Sequence, residues 1–133
     1  MTGKGLDPGD WSFRLANIPG LDIERGSALV HGNMTKYVRI LTLFVDSHAN
    51  DPAELAARKA SNDWVALRKL VHTLTGSAGN VGATRISEIA ASLLLAIQRD
   101  VGLDEINDQC AVLIEELTIL IAGIQGALTE QSD

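Results

Sequence analysis

Apolar residues recur every three or four positions through most of this 133-residue chain, the spacing that lines one face of a helix. Met34, Tyr37, Ile40, Leu41, Phe44 and Val45 predict a helix that Asn33 caps and that runs to about Ala49. Upstream, Asp22 predicts the start of a short helix reaching about Val30, ended by Gly32. Asp51-Pro52 predicts a restart, with Asp51 as the cap and proline at the first helical position, where its missing N–H costs nothing. The Ala-rich segment to Ala60 follows.

Ser61, Asn62 and Asp63 supply capping side chains for the next helix, whose apolar face is Leu67, Leu70, Val71, Leu74, Ala78 and Val81. It should run to about Gly79 and break at Gly82. Ile86, Ile89, Ala90, Leu93 and Ile97 form the core face of a further helix closed by Gly102. Asp104 then caps the last helix, which turns Ile106, Leu113, Leu117, Leu120, Ile121, Ile124 and Leu128 inward. Short loops between long amphipathic helices favour antiparallel neighbours. The expected fold is all-α, an antiparallel up-and-down four-helix bundle over residues 21–129 with one or two short extra N-terminal helices.

Residues 1–20 carry Gly3, Gly5, Pro8, Gly9, Pro19 and Gly20 and read as a linker, or as the place where a larger protein was cut. Trp11, Phe13 and Leu15 are candidates to pack on the bundle all the same. No internal repeat or low-complexity stretch interrupts the pattern.

Composition agrees with one helical domain. The chain is 46% hydrophobic yet only 4% aromatic, with abundant Ala, Leu and Ile, which suits packed helices better than sheets. A formal net charge of −6 excludes a general nucleic-acid binder, which needs a basic footprint to displace phosphate counterions. The single Cys110 excludes an internal disulfide and a cysteine metal cluster. The longest apolar tract, Leu117 to Ile124, is well short of the roughly 18 residues of a membrane span. With no secretory signal pattern at the N-terminus, the expectation is a soluble, cytoplasmic chain without direct membrane contact.

The candidate chemistry sits on the helix before Gly82. Counting about 100° per residue, its apolar positions fall within roughly 60° of one direction, and His72 lies about 140° away. Thr75, Gly76 and Gly79 leave that face open, while Arg68 and Lys69, one turn earlier, make it cationic. An exposed imidazole is largely neutral near pH 7 and keeps a lone pair on one ring nitrogen. An accessible nucleophile beside positive charge suits a phosphoryl group.

The string His72, Leu74, Gly76, Ser77, Ala78, Gly79 and Gly82 resembles the motif of histidine phosphotransfer (HPt) domains of bacterial multistep phosphorelays. Thr75 stands where that family usually has lysine. The resemblance extends over roughly residues 21–128, through Gly32-Asn33, Tyr37, Leu41, Phe44 and Asp63-Trp64. It implies phosphorylation at Nε2 of His72 and transfer to or from an aspartate on the receiver domain of a response regulator or hybrid kinase. The domain would be a carrier rather than an enzyme, and the receiver would supply the acidic pocket and Mg²⁺. The resemblance further implies the C-terminal end of a hybrid sensor histidine kinase, monomeric as an isolated domain. Arg68, Lys69 and the Thr75 hydroxyl would support the phosphate, and Gly76 and Gly79 would give a partner access. The alternative is an HPt-like adaptor that binds a receiver or kinase without accepting phosphate.

Other features carry ordinary readings. His48, on the apolar side of its helix, is explained by packing or by the helix dipole, and His31 marks a helix end. Neither belongs to a metal motif, so no metal is expected. Cys110 reads as a packed core residue. The glycine-rich string lacks the spacing and the Gly-Lys-Ser/Thr ending of a phosphate-binding loop, which excludes direct ATP use on that basis.

Overall fold

A computed structural model describes residues 8–129. The described residues form seven helices and no strand: α1 (Pro8–Leu15), α2 (Ile23–Ala28), α3 (Met34–His48), α4 (Asp51–Ala60), α5 (Trp64–Gly79), α6 (Thr84–Arg99) and α7 (Leu103–Thr129). Four of them, α4 to α7, close a ring in which each packs on the next, and α3, which precedes α4, also packs on α7. The all-α bundle expected from the periodicity is therefore present, with α1 and α2 as its short additions.

Local chemistry sets most boundaries. The carboxylate of Asp22 accepts from Arg25 N at 3.0 Å, the Asn33 side chain from Lys36 N at 3.1 Å and Asp63 from Ala66 N at 3.2 Å, each satisfying a donor the helix start leaves open. Two caps differ from expectation. Asn50 occupies the cap position of α4 without a side-chain bond, and Asp51 lies inside the first turn with its carboxylate turned onto His48. Asp104 likewise falls inside the first turn of α7, where Ile106 N donates to Gly102 O at 3.1 Å. Near the end of α6 the left-handed residue is Asp100, φ 53°, two residues before the expected Gly102.

The expected linker also differs. Residues 1–7 lie outside the described residues, but from Pro8 the chain is helical, and Trp11, Leu15 and Ile18 are buried in the main core. Arg14 donates to Ala127 O at 3.1 Å and stands over the Trp11 ring, tying α1 to the end of α7. Glycine and proline composition suggested a tether; three apolar side chains at helical or near-helical spacing outweigh it.

α7 is long and apolar enough, by length and composition alone, to cross a membrane. Its character has a local cause: Ile106, Cys110, Leu113, Leu117, Leu120, Ile121, Ile124 and Ala127 are all buried as the central wall of the bundle. A helix touching α1, α3, α4 and α6 needs a broad apolar stripe.

The turn after α5 is clamped from below. Tyr37 Oη donates to Val81 O at 2.7 Å, and Asp22 N donates to Gly82 O at 2.8 Å. Gly82 has φ +80°, and a Cβ there would stand 2.5 Å from Asp22 O; one on Gly26 would stand 2.6 Å from Val81 O. Only glycine fits where these backbones cross. Burial and the charge of Asp22 push the Tyr37 phenol above its ordinary range, which keeps it a donor to Val81. The crossing fixes where α5 ends and α6 begins.

Candidate functional site

The rotation of α5 decides what its other side shows. Leu67, Val71, Leu74 and Ala78 are each 0% exposed, so the helix cannot turn without uncovering four side chains. His72, on the opposite face, is exposed, and its ring has no hydrogen-bond or ion-pair partner among the described residues. Neither ring nitrogen is engaged by the protein, so the one that carries the lone pair is open to an incoming group.

Beneath the imidazole is a hollow of about 250 Å³ walled by Val65, Arg68, Lys69, Leu94 and Gln98. Arg68 and Lys69, expected on the sequence to make this face cationic, come together there with His72. Both are exposed and neither forms an ion pair among the described residues. Gln98 was missed, because only the packing of α6 on α5 brings it near a residue 26 positions earlier. Its sequence signal was weak: a polar residue one turn after Leu94 on a helix whose order of packing the periodicity does not give.

Thr75 differs from the expected role. Its hydroxyl donates to Val71 O at 2.9 Å, the bond a mid-helix threonine commonly makes to the carbonyl four residues back. Its own carbonyl accepts from Ser87 Oγ at 2.9 Å. The residue does not line the hollow, and its donor is already committed. A lysine at this position would instead reach outward as a free cation.

The small residues are open in different degrees. A Cβ on Gly76 would meet nothing within 4 Å, whereas one on Gly79 would lie 3.5 Å from Ser87 Oγ. Gly76 is therefore not required by the packing of this chain. Gly79 borders α6 and a separate small depression with Arg25, Thr84 and Ser87.

On the other flank of α5 a cleft of about 740 Å³ opens toward the α3–α4 junction and shares Val65 and Lys69 with the hollow. His48 and Asp51 lie at its floor, 7% exposed each, with Nδ1–H donating to Oδ2 at 2.6 Å and the Phe44 ring tilted against the imidazole at 4.7 Å between ring centroids. The reading of His48 as a packed residue holds, with a partner the sequence reading overlooked. The His-to-Asp spacing of three across a helix junction was the available signal. His31, φ 56°, is exposed at the end of the short turn after α2. Cys110 is fully buried, and burial pushes its thiol up. Among the described residues no group of three or more potential metal ligands gathers.

An exposed imidazole with a free lone pair can attack a phosphorus atom in line and release the oxygen that held it. The cations beside it can lower the cost of gathering phosphoryl oxygens. Comparison with curated proteins and with solved structures yields no match. The sequence model of the Hpt domain matches residues 39–128, more than half of the chain, and spans α5, His72 and the helices that hold them. The chain therefore belongs to the Hpt domain family, histidine phosphotransfer modules that interact with receiver domains in phosphorelays.

Proposed function

We propose that this chain carries a phosphoryl group on Nε2 of His72, to or from the aspartate of a receiver domain. The observation that carries the reading is the unpartnered, exposed imidazole above a hollow walled by Arg68 and Lys69, next to the open space at Gly76. In the forward step the Nε2 lone pair attacks phosphorus, the P–O bond to the aspartyl carboxylate breaks, and the carboxylate leaves with its electron pair. Mg²⁺ belongs to the receiver's acidic pocket in this scheme. This chain contributes the nucleophile, its orientation and a face without bulky side chains.

Arg68, Lys69 and Gln98 would meet the phosphoryl oxygens in this reading, which their shared lining of the hollow with His72 supports; two bring charge and one a neutral N–H donor. The chain acts as a carrier dependent on its partners' active sites, monomeric, in the cytoplasm, and attached to or derived from a hybrid sensor kinase. The test incubates it with a receiver domain phosphorylated on aspartate and follows acid-labile label. Label moving onto the chain and back supports the reading. A receiver that binds without transfer would favour an adaptor, the second reading, to which the committed hydroxyl of Thr75 at the usual lysine position lends support.

A further inference from the structure

α6 presents two different surfaces. Leu94 and Gln98 face the His72 hollow, whereas Glu88, Ile89 and Ser92 face a groove against Asp108, Gln109 and Val112 of α7. Counting about 100° per residue, the two sets point roughly 150° apart around the helix. What covers one need not touch the other.

The α6–α7 groove measures about 350 Å³ and runs into a smaller depression of about 180 Å³ through the shared residues Ser92 and Gln109. Its apolar content is exposed: Leu95 is 48%, Val101 44% and Val112 43% accessible, beside half-buried Ile89. From Glu88 to Arg99 the track is about 16 Å long, enough to seat three turns of another helix. Its floor is held in place, since Ser92 Oγ donates to Gln109 Oε1 at 3.1 Å and Gln109 Nε2 donates to Glu105 Oε2 at 3.1 Å. The first bond joins α6 to α7, and the second, within α7, holds the Gln109 side chain that receives it.

The rim is mostly acidic. Glu88, Glu105 and Asp108 edge the groove, against Arg99 in its lining and Arg85 close enough to interact with Glu88. Asp108 has neither a hydrogen bond nor an ion pair among the described residues. The face around His72 is the reverse, with Arg68 and Lys69 and no carboxylate in the hollow. A receiver that presents an acidic pocket therefore has no electrostatic reason to use the α6–α7 groove. A cationic amphipathic segment fits both its apolar floor and its charge.

We infer that the α6–α7 groove is a second docking surface, for a basic amphipathic helix of a partner protein, and that it can be occupied while His72 stays accessible. The inference stands on this groove alone and does not require the phosphotransfer reading. Rim charges set the preference for basic over acidic segments, and Val112 and Ile89 supply the contact area.

The test uses a fluorescein-labelled 12-residue Leu/Lys amphipathic peptide, with a Leu/Glu peptide of identical apolar spacing as control, titrated against the full chain by anisotropy. Saturable 1:1 binding of the Leu/Lys peptide is expected, weakening with added salt, with no binding of the Leu/Glu peptide. Glu88→Lys with Asp108→Lys should weaken it about tenfold or more, and Val112→Asp similarly. All three positions lie at the groove's edge or on its exposed floor, and circular dichroism confirms an intact bundle. Equal binding of both peptides, unchanged affinity in the reversed-charge variant, or no binding overturns the proposal. So does self-association in sedimentation that Val112→Asp abolishes, since the occupant would then be a second copy. Separately, peptide at saturation should leave modification of His72 by diethyl pyrocarbonate unchanged; protection of His72 would contradict independent occupancy.

Discussion

His72 and His48 lie 24 residues apart on adjoining parts of the same bundle and have opposite surroundings. His48 is buried, packed against a tilted Phe44 ring, and its Nδ1–H donates to Asp51 at 2.6 Å. His72 is exposed and has no such partner among the described residues. The side chain is identical, so the difference lies in what the helix face has already assigned to each ring. An imidazole whose nitrogen and ring faces are committed is part of the framework. One held by a rigid helix yet left unbonded is available for chemistry.

The sharpest way to break the comparison is to remove each ring. His72→Gln should abolish receiver-dependent, acid-labile phosphorylation while moving stability by no more than about 0.5 kcal/mol, as expected for an exposed residue. Phosphotransfer assays alongside urea unfolding measure both. Asp51→Ala should do the reverse. It leaves a buried imidazole N–H without an acceptor, at a cost of about 1–3 kcal/mol, and transfer at His72 should persist in the folded fraction. Loss of transfer with unchanged stability would show that His48 and Asp51 belong to the chemistry.

The two histidines also show how far the sequence was legible. Apolar periodicity located the long helices from α3 onward and placed His72 opposite the buried stripe, because Leu67, Val71, Leu74 and Ala78 share a face of one element. Capping side chains gave most starts for the same reason: the interaction spans three residues. Asp51 was misread because it satisfies both a cap pattern and a pairing pattern, and burial of His48 decides between them. Gln98 in the hollow and the core role of Trp11 depended on which helices pack together, information that no single periodic segment contains. The Thr75 hydroxyl, expected to support the phosphate, donates to the Val71 carbonyl, an acceptor that the helix itself offers and that apolar periodicity does not single out.

Access around the ring supplies the next test. Gly76→Gln should raise helix stability by about 0.5–1 kcal/mol, since a Cβ there meets nothing and glycine is a poor helix former. Transfer should nevertheless fall about tenfold, equivalent to ~1.4 kcal/mol of lost docking. Stopped-flow transfer and thermal melting separate the two effects. Transfer at the wild-type rate would return Gly76 to a purely structural role.

Charge should matter least. Thr75→Lys should speed transfer or lengthen the phosphohistidine lifetime a few-fold, and Lys69→Ala should act the other way, both worth under about 1 kcal/mol at solvent-exposed positions. Raising ionic strength should shrink both effects. Kinetics at two salt concentrations would show this, and salt-independent changes would point to shape instead.

The most direct measurement maps the phosphate itself. The chain, labelled with ¹⁵N on histidine, is phosphorylated by a phosphorylated receiver and observed by long-range proton–nitrogen correlation of the three imidazoles. The account predicts that the Nε2 resonance of His72 moves and acquires coupling to phosphorus, while those of His31 and His48 stay where they are. Phosphorus coupling at His31 or His48, or none at His72 under conditions where the receiver loses its phosphate to the chain, would contradict it.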